Sequence, residues 1–119
     1  MLTVEKTTVF YAAHSVRCFG PEHKCSRKHG HSYTVTVWAS TSLENPLEFS
    51  RLEEAMAGLL SKWDHNDLNE VYPDEDPTVE FLCYKLAGHL LYHKVPVVKI
   101  RIQETQSSAV VWQSRCDTY

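Results

Sequence analysis

The sequence predicts an α+β chain with the element order β-β-α-α-β-β. Three observations carry this reading. The first forty residues hold two runs rich in β-branched and aromatic residues, the second of which, HSYTVTVWAST at 31–41, alternates with period two. The middle of the chain holds two stretches whose apolar residues recur at helical spacing. After Pro96 two more strand-like runs follow, separated by a polar turn. Two helical stripes need a sheet face to cover them, so the expectation is a four-stranded sheet with both helices on one side.

Taken in order, residues 2–13 are rich in Thr, Val, Phe and Tyr and read as a strand. Residues 15–28 hold Gly20, Pro21 and a basic cluster and read as a long loop. Residues 31–41 form the second strand, and Asn45-Pro46 break the chain. Ser50 with Glu53 makes a capping box that starts a helix. Leu52, Ala55, Met56, Leu59, Leu60 and Trp63 form its core face. Residues 64–75 are polar and loop-like. Asp76 then reads as a helix cap with Pro77 at the first helical position. Val79, Leu82, Cys83, Leu86 and Leu90 form that helix's stripe. Residues 97–105 and 109–114 are the last strands, with Gln106-Ser107-Ser108 turning between them.

Residues 1–119 show no linker, repeat or low-complexity tract, so a single domain is expected. Hydrophobic residues make up 43% and charged residues 23%, which excludes a disordered chain. A net charge of −3 offers no footprint for nucleic acid or a membrane surface. The apolar run Val9–Ala13 is too short to span a bilayer, and no signal-peptide core precedes it. A cytoplasmic protein is expected. Cys18, Cys25, Cys83 and Cys116 form no CxxC pair, which suits a reducing compartment. Such thiols act as nucleophiles, acid/bases or ligands.

The seven histidines are the anomaly. His29 and His31 flank Gly30 at the start of the second strand, and residues two apart on a strand share a face. A hairpin-like pairing brings His14, at the end of the first strand, alongside. Three neutral imidazoles leave one position open on a tetrahedral zinc, as catalytic sites do. The plainer alternative is a pair of surface histidines. His89 and His93 share a helix face without a third ligand and read as ordinary surface residues, and His23 as a loop residue.

Cys25 sits among Lys24, Arg27 and Lys28, and cations favour a thiolate, which can abstract a proton. An inert loop thiol and a fourth zinc ligand are equally open readings. Asp64-His65 is an aspartate placed to orient an imidazole, or a plain polar helix exit. Glu104 near the end of an apolar strand can accept two parallel hydrogen bonds from an amino-pyrimidinone edge, or simply face solvent.

Five segments together resemble the 6-pyruvoyl-tetrahydropterin and 6-carboxy-tetrahydropterin synthase superfamily. They are Phe10-Tyr11-Ala12-Ala13-His14, the run from His23 to His31, the run from Trp63 to Asn69, Pro77-Thr78-Val79-Glu80, and Glu104-Thr105. They stand in family order and span almost the whole chain. The resemblance implies the tunnelling fold, an antiparallel four-stranded sheet with two helices on one face. Three subunits would close a twelve-stranded barrel, and two rings would stack into a homo-hexamer. It places the zinc ligands on His14, His29 and His31. It places catalysis on Cys25, Asp64 and His65, and pterin binding on Glu104 and Thr105 with Thr78 and Glu80 at the pocket wall. The implied substrate is 7,8-dihydroneopterin triphosphate, with Lys24, Arg27 and Lys28 available to its phosphates.

The chain departs from many relatives in carrying Glu48-Phe49 and Glu53 where they have Asp-Phe and Lys. The three residues between Cys25 and His29 match the short form of the bacterial queuosine-pathway enzymes. That form implies 6-carboxy-tetrahydropterin, acetaldehyde and triphosphate as products. The alternatives are 6-pyruvoyl formation, cleavage to a hydroxymethyl-pterin, or a non-catalytic zinc and pterin-binding module. Cys25 together with Asp64-His65 favours an enzyme, because a module would not need both.

Overall fold

A computed structural model describes residues 1–115; Cys116 lies outside the described residues. Its elements are β1 (Leu2–His14), β2 (His29–Thr41), α1 (Phe49–Trp63), β3 (Asn66–Asp67), α2 (Leu68–Val71), α3 (Val79–Tyr92), β4 (Val97–Thr105) and β5 (Ser108–Gln113). The strands form one mixed sheet in the order β3-β1-β2-β4-β5. The expected four strands are present and pair antiparallel. The fifth, β3, is an addition that runs parallel to β1 and pairs only at Ala12 and Ala13.

Alternation decides which face is buried. Phe10, Ala12 and His14 of β1, Tyr33, Val35, Val37 and Ala39 of β2, and Ile100 and Ile102 of β4 all turn inward. Against them pack Leu52, Met56, Leu59, Leu60 and Trp63 of α1 and Leu82, Cys83, Leu86 and Leu90 of α3. Phe10 stacks on Tyr33 with centroids 4.6 Å apart and meets Trp63 at 5.4 Å, joining sheet to helix just below the histidine-bearing end.

Three local expectations are corrected. The cap of α1 is Glu48, with no side-chain cap bond, and Ser50 Oγ donates to Glu48 Oε2 at 3.3 Å. Glu53 forms no capping box; it pairs with Lys6 of β1 at 3.2 Å. The cap of α3 is Thr78, whose Oγ1 accepts from Phe81 N at 3.1 Å. Asp76 is not free to cap, because its carboxylate accepts Arg17 N at 2.8 Å and Cys18 N at 2.9 Å. Those loop amides have no strand partner, so a tertiary acceptor outcompetes the local one. Residues 64–75 are not a plain loop but carry β3 and α2, with Asp67 capping α2 through Asn69 N at 3.0 Å.

Both margins of the sheet are open over most of their length. Beyond Ala12–Ala13, the outer side of β1 has no strand partner among the described residues, and neither has β5. Among the described residues no helix is long and apolar enough to cross a membrane.

Candidate functional site

Register brings the three histidines together. His14 pairs directly with His29 at the end of the β1–β2 ladder, and His31 faces Ala12 one inward rung further on. The small Ala12 side chain leaves room for the His31 ring. Ring centroids lie 4.6 Å apart for His14 and His29, 4.8 Å for His29 and His31, and 5.3 Å for His14 and His31. One nitrogen from each ring falls within 4.8 Å of the other two.

Backbone carbonyls set two of the tautomers. His14 Nδ1 lies 2.8 Å from Pro77 O, and His29 Nδ1 lies 2.7 Å from Arg27 O. A carbonyl only accepts, so each Nδ1 carries the proton and each Nε2 keeps its lone pair. His31 Nε2 is buried with no hydrogen-bond partner among the described residues. An orphaned buried nitrogen is costly unless something binds it. Burial is the main cause that pushes His14 and His31 below the usual imidazole range, so both favour the neutral, ligating form. The donor set therefore fits a divalent metal held by three imidazoles. Cys25 and Glu104 are not members of that three-histidine group.

Glu104 continues the inward alternation of Ile100 and Ile102 at the irregular end of β4, where the pairing with β5 shifts between Gln103 and Thr105. Its Oε2 stands 3.8 Å from His14 Nε2 and its Oε1 3.7 Å from His31 Nε2. Tyr33 is a residue that sequence reasoning missed. Its hydroxyl lies 3.3 Å from His14 Nε2, and burial, with Glu104 adding to it, raises its pKa so that it stays an O–H donor. Inward alternation below His31 is the signal that would have found it.

A pocket of about 200 Å³ is lined by His14, His29, Cys25, Thr78, Glu80 and Glu104, with Ser108–Val110 of β5 as one wall. Cys25 is half-buried in a short 3-10 turn, Lys24–Ser26. Val16 N donates to Cys25 O at 2.7 Å, and Cys25 N donates to His23 Nδ1 at 3.1 Å. His23 is therefore the cap of this turn. Thr78 spends its hydroxyl on capping α3 while lining the pocket. Thr105 is not brought in; it is exposed, and its Oγ1 accepts from Ser107 N in the β4–β5 turn. Lys28 is bound to Asp67 and Asn69, which removes it from the cations expected to face phosphates and leaves Lys24 and Arg27 exposed. Neither Glu48 nor Glu53 lines this pocket.

The Asp64-His65 pair forms, with His65 Nδ1 at 3.0 Å from Asp64 Oδ1. Asp64 Oδ1 also accepts Tyr11 N at 2.9 Å; that bond first, and His65 after it, hold the carboxyl below its usual range. His65 adopts φ +62°, uncommon for a residue with a side chain. Its side chain is 74% exposed, beside a shallow hollow with Tyr11, Gly30, His31 and Ser32 at the β1 margin, so one of the three histidines borders it. Neither Asp64 nor His65 lines the Cys25 pocket. His89 is more than a surface residue: its Nε2 donates to Ala55 O at 2.8 Å, tying α3 to α1.

Residues 3–115 match the family model described as 6-pyruvoyl tetrahydropterin synthase. A curated relative from Archaeoglobus fulgidus, named putative 6-carboxy-5,6,7,8-tetrahydropterin synthase, is 32% identical over 104 residues, covering 84% of this chain and 85% of the relative. The solved 6-pyruvoyl tetrahydropterin synthase of Caenorhabditis elegans superposes with a TM-score of 0.80 at 21% identity, covering 95% of each chain. That of Plasmodium falciparum gives 0.66 at 15% identity, covering 94% of this chain and 98% of the other. At these identities the two structures speak for the fold alone.

Proposed function

The chain belongs to the 6-pyruvoyl tetrahydropterin synthase family, and from that premise we propose that it is a zinc-dependent lyase acting on 7,8-dihydroneopterin triphosphate. The products are 6-carboxy-5,6,7,8-tetrahydropterin, acetaldehyde and triphosphate. The observation that carries this is a cluster of three imidazoles, two of which line one pocket with a half-buried thiol and a carboxylate.

Each residue has a part. His14, His29 and His31 would hold the metal. When bound, zinc supplies Lewis acidity toward the side-chain hydroxyls of the substrate. Glu104 anchors the amino-pyrimidinone edge of the pterin, its two oxygens accepting parallel N–H bonds. Cys25 takes a proton from the substrate side chain at Sγ, and His65, oriented by Asp64, is the second acid/base. Thr78 and Glu80 flank the pterin, and Lys24 and Arg27 draw the triphosphate.

The exposed Asp64-His65 pair lies at the β1 margin with its imidazole turned to solvent, and in this reading it serves the pocket of a neighbouring subunit. Pairing the open margins of three chains closes a twelve-stranded barrel, and two barrels stack as a hexamer. The described residues act as one catalytic domain, placed in the cytoplasm. The 6-carboxy outcome is favoured by the relative's name and by the short Cys25–His29 segment. A 6-pyruvoyl product is the second reading, favoured by the family description.

Product identification tests the proposal. The zinc-loaded protein is incubated with dihydroneopterin triphosphate, and acetaldehyde is read by coupled alcohol dehydrogenase. Acetaldehyde equal to triphosphate is expected. Triphosphate without acetaldehyde selects the 6-pyruvoyl reading. Pterin binding with neither product identifies a non-catalytic module.

A further inference from the structure

A second polar cluster closes the end of the β1–β2 ladder. Ser15, directly after His14, donates its N–H to Asn69 Oδ1 at 2.7 Å, and Asn69 Nδ2 donates to Ser15 O at 3.1 Å. The Asn69 amide thus holds both backbone groups of one residue, as a strand neighbour would. Lys28, directly before His29, donates from Nζ to both oxygens of Asp67 at 2.8 Å and to Asn69 Oδ1 at 3.0 Å. Asp67 Oδ1 also accepts Asn69 N at 3.0 Å.

This cluster stands where the ladder stops, since His14 and His29 are its last rung. Strand ends fray unless something ties them. The carbonyl that orients His29 belongs to the peptide joining Arg27 to Lys28, so fixing Lys28 fixes that carbonyl. Lys28 and Asp67 are 46% and 28% exposed, and an ion pair this open adds little to stability. The geometry points to Lys28, Asp67 and Asn69 as a clamp that positions the three-histidine centre, an inference that rests on reading that centre as a metal site. They are positioning residues: none of them reaches the metal-facing nitrogens. The clamp also anchors the β3–α2 segment that follows Asp64-His65, so ligands and acid/base pair share one support.

The test titrates the metal-free protein with zinc against a chromophoric chelator and records the visible spectrum of the cobalt form. Asn69→Ala and Lys28→Met are expected to weaken zinc binding about 10–100-fold, the usual cost of losing an outer partner. Both should also shift the cobalt bands, while Lys28→Arg stays close to the parent protein. A purely structural role lowers the melting temperature of the metal-free variants and leaves zinc affinity and cobalt bands alone; that result overturns the clamp. Lys28→Met decides the matter if Asn69→Ala does not fold. A parent protein that binds zinc no better than His31→Ala overturns the metal reading and the clamp together. Tight binding by the parent, unchanged in both variants, overturns the clamp only.

Discussion

The histidine corner and the Asp64-His65 pair are built in opposite ways. The corner lies on the inner face of two long strands, with His14 almost fully buried and two rings held by backbone carbonyls. The pair lies at the sheet margin just before β3, with a positive φ at His65 and a largely exposed imidazole. The corner is complete within one chain because strand register alone supplies it. The pair is held in place but faces outward, and in the proposed assembly a partner surface would complete it. A metal centre needs fixed donor angles, whereas an acid/base must only meet its proton at the moment of reaction.

Breaking the corner gives the largest expected effect. His29→Ala and His31→Ala each lose zinc by more than the roughly 10–100-fold seen for outer partners. Elemental analysis after gel filtration should find little metal, and full occupancy in both variants would remove the assignment. Turnover should disappear with the metal.

The next effect separates the regions. Cys25→Ala and His65→Ala should retain zinc and lower kcat by about 10²–10⁴, with KM little changed. Mixing the two inactive variants under conditions that exchange subunits should restore part of the activity, because some interfaces then pair an intact thiol with an intact imidazole. No recovery, with exchange verified by mass, contradicts a shared site. Cys18→Ala is the control and should match the parent protein.

Glu104→Ala should weaken pterin binding by two charge-assisted hydrogen bonds, about 1.5–3 kcal/mol each. Calorimetry on zinc-loaded protein reads this directly. Unchanged pterin affinity returns Glu104 to an ordinary strand residue. Lost zinc would instead make it a ligand, which its distances to two Nε2 atoms make worth measuring.

The smallest effect is in pH. His14 and His31 have folded pKa values lowered from 6.5, chiefly by burial. Above about 6.5 both states are neutral and these groups leave stability unchanged. As pH falls below 6.5 the unfolded chain takes up protons first, so metal-free protein loses stability towards its folded pKa values. Melting curves of the metal-free form at pH 8 and pH 5.5 should show this, the lower pH being less stable. Equal curves, after allowing for a His14→Gln, His31→Gln control, would contradict it.

The sequence made some of this legible and hid the rest for physical reasons. The strand at 97–105 matches β4 residue for residue, because the alternation of Ile100 and Ile102 with Lys99, Arg101 and Gln103 is a local signal. His29 and His31 were legible because a two-residue period is local, and His14 because hairpin pairing is the simplest neighbour. The helix starts were misread. Ser50 and Asp76 are good caps in isolation, but Glu48 begins α1, and the Asp76 carboxylate serves two loop amides. β3 was hidden because two residues carry no period. The carbonyls of Pro77 and Arg27, which set the histidine tautomers, carry no side-chain signal at all. Asn69 ends the Trp63–Asn69 segment, yet its role appears only when Ser15, 54 residues away, lies against it.

The most direct test of the central claim is X-ray absorption at the zinc edge of the loaded protein. Three imidazole nitrogens at about 2.0–2.1 Å and one light oxygen donor are expected, with no sulfur. A sulfur scatterer at about 2.3 Å would make Cys25 a ligand and close the site, contradicting an open three-histidine centre beside a free thiol.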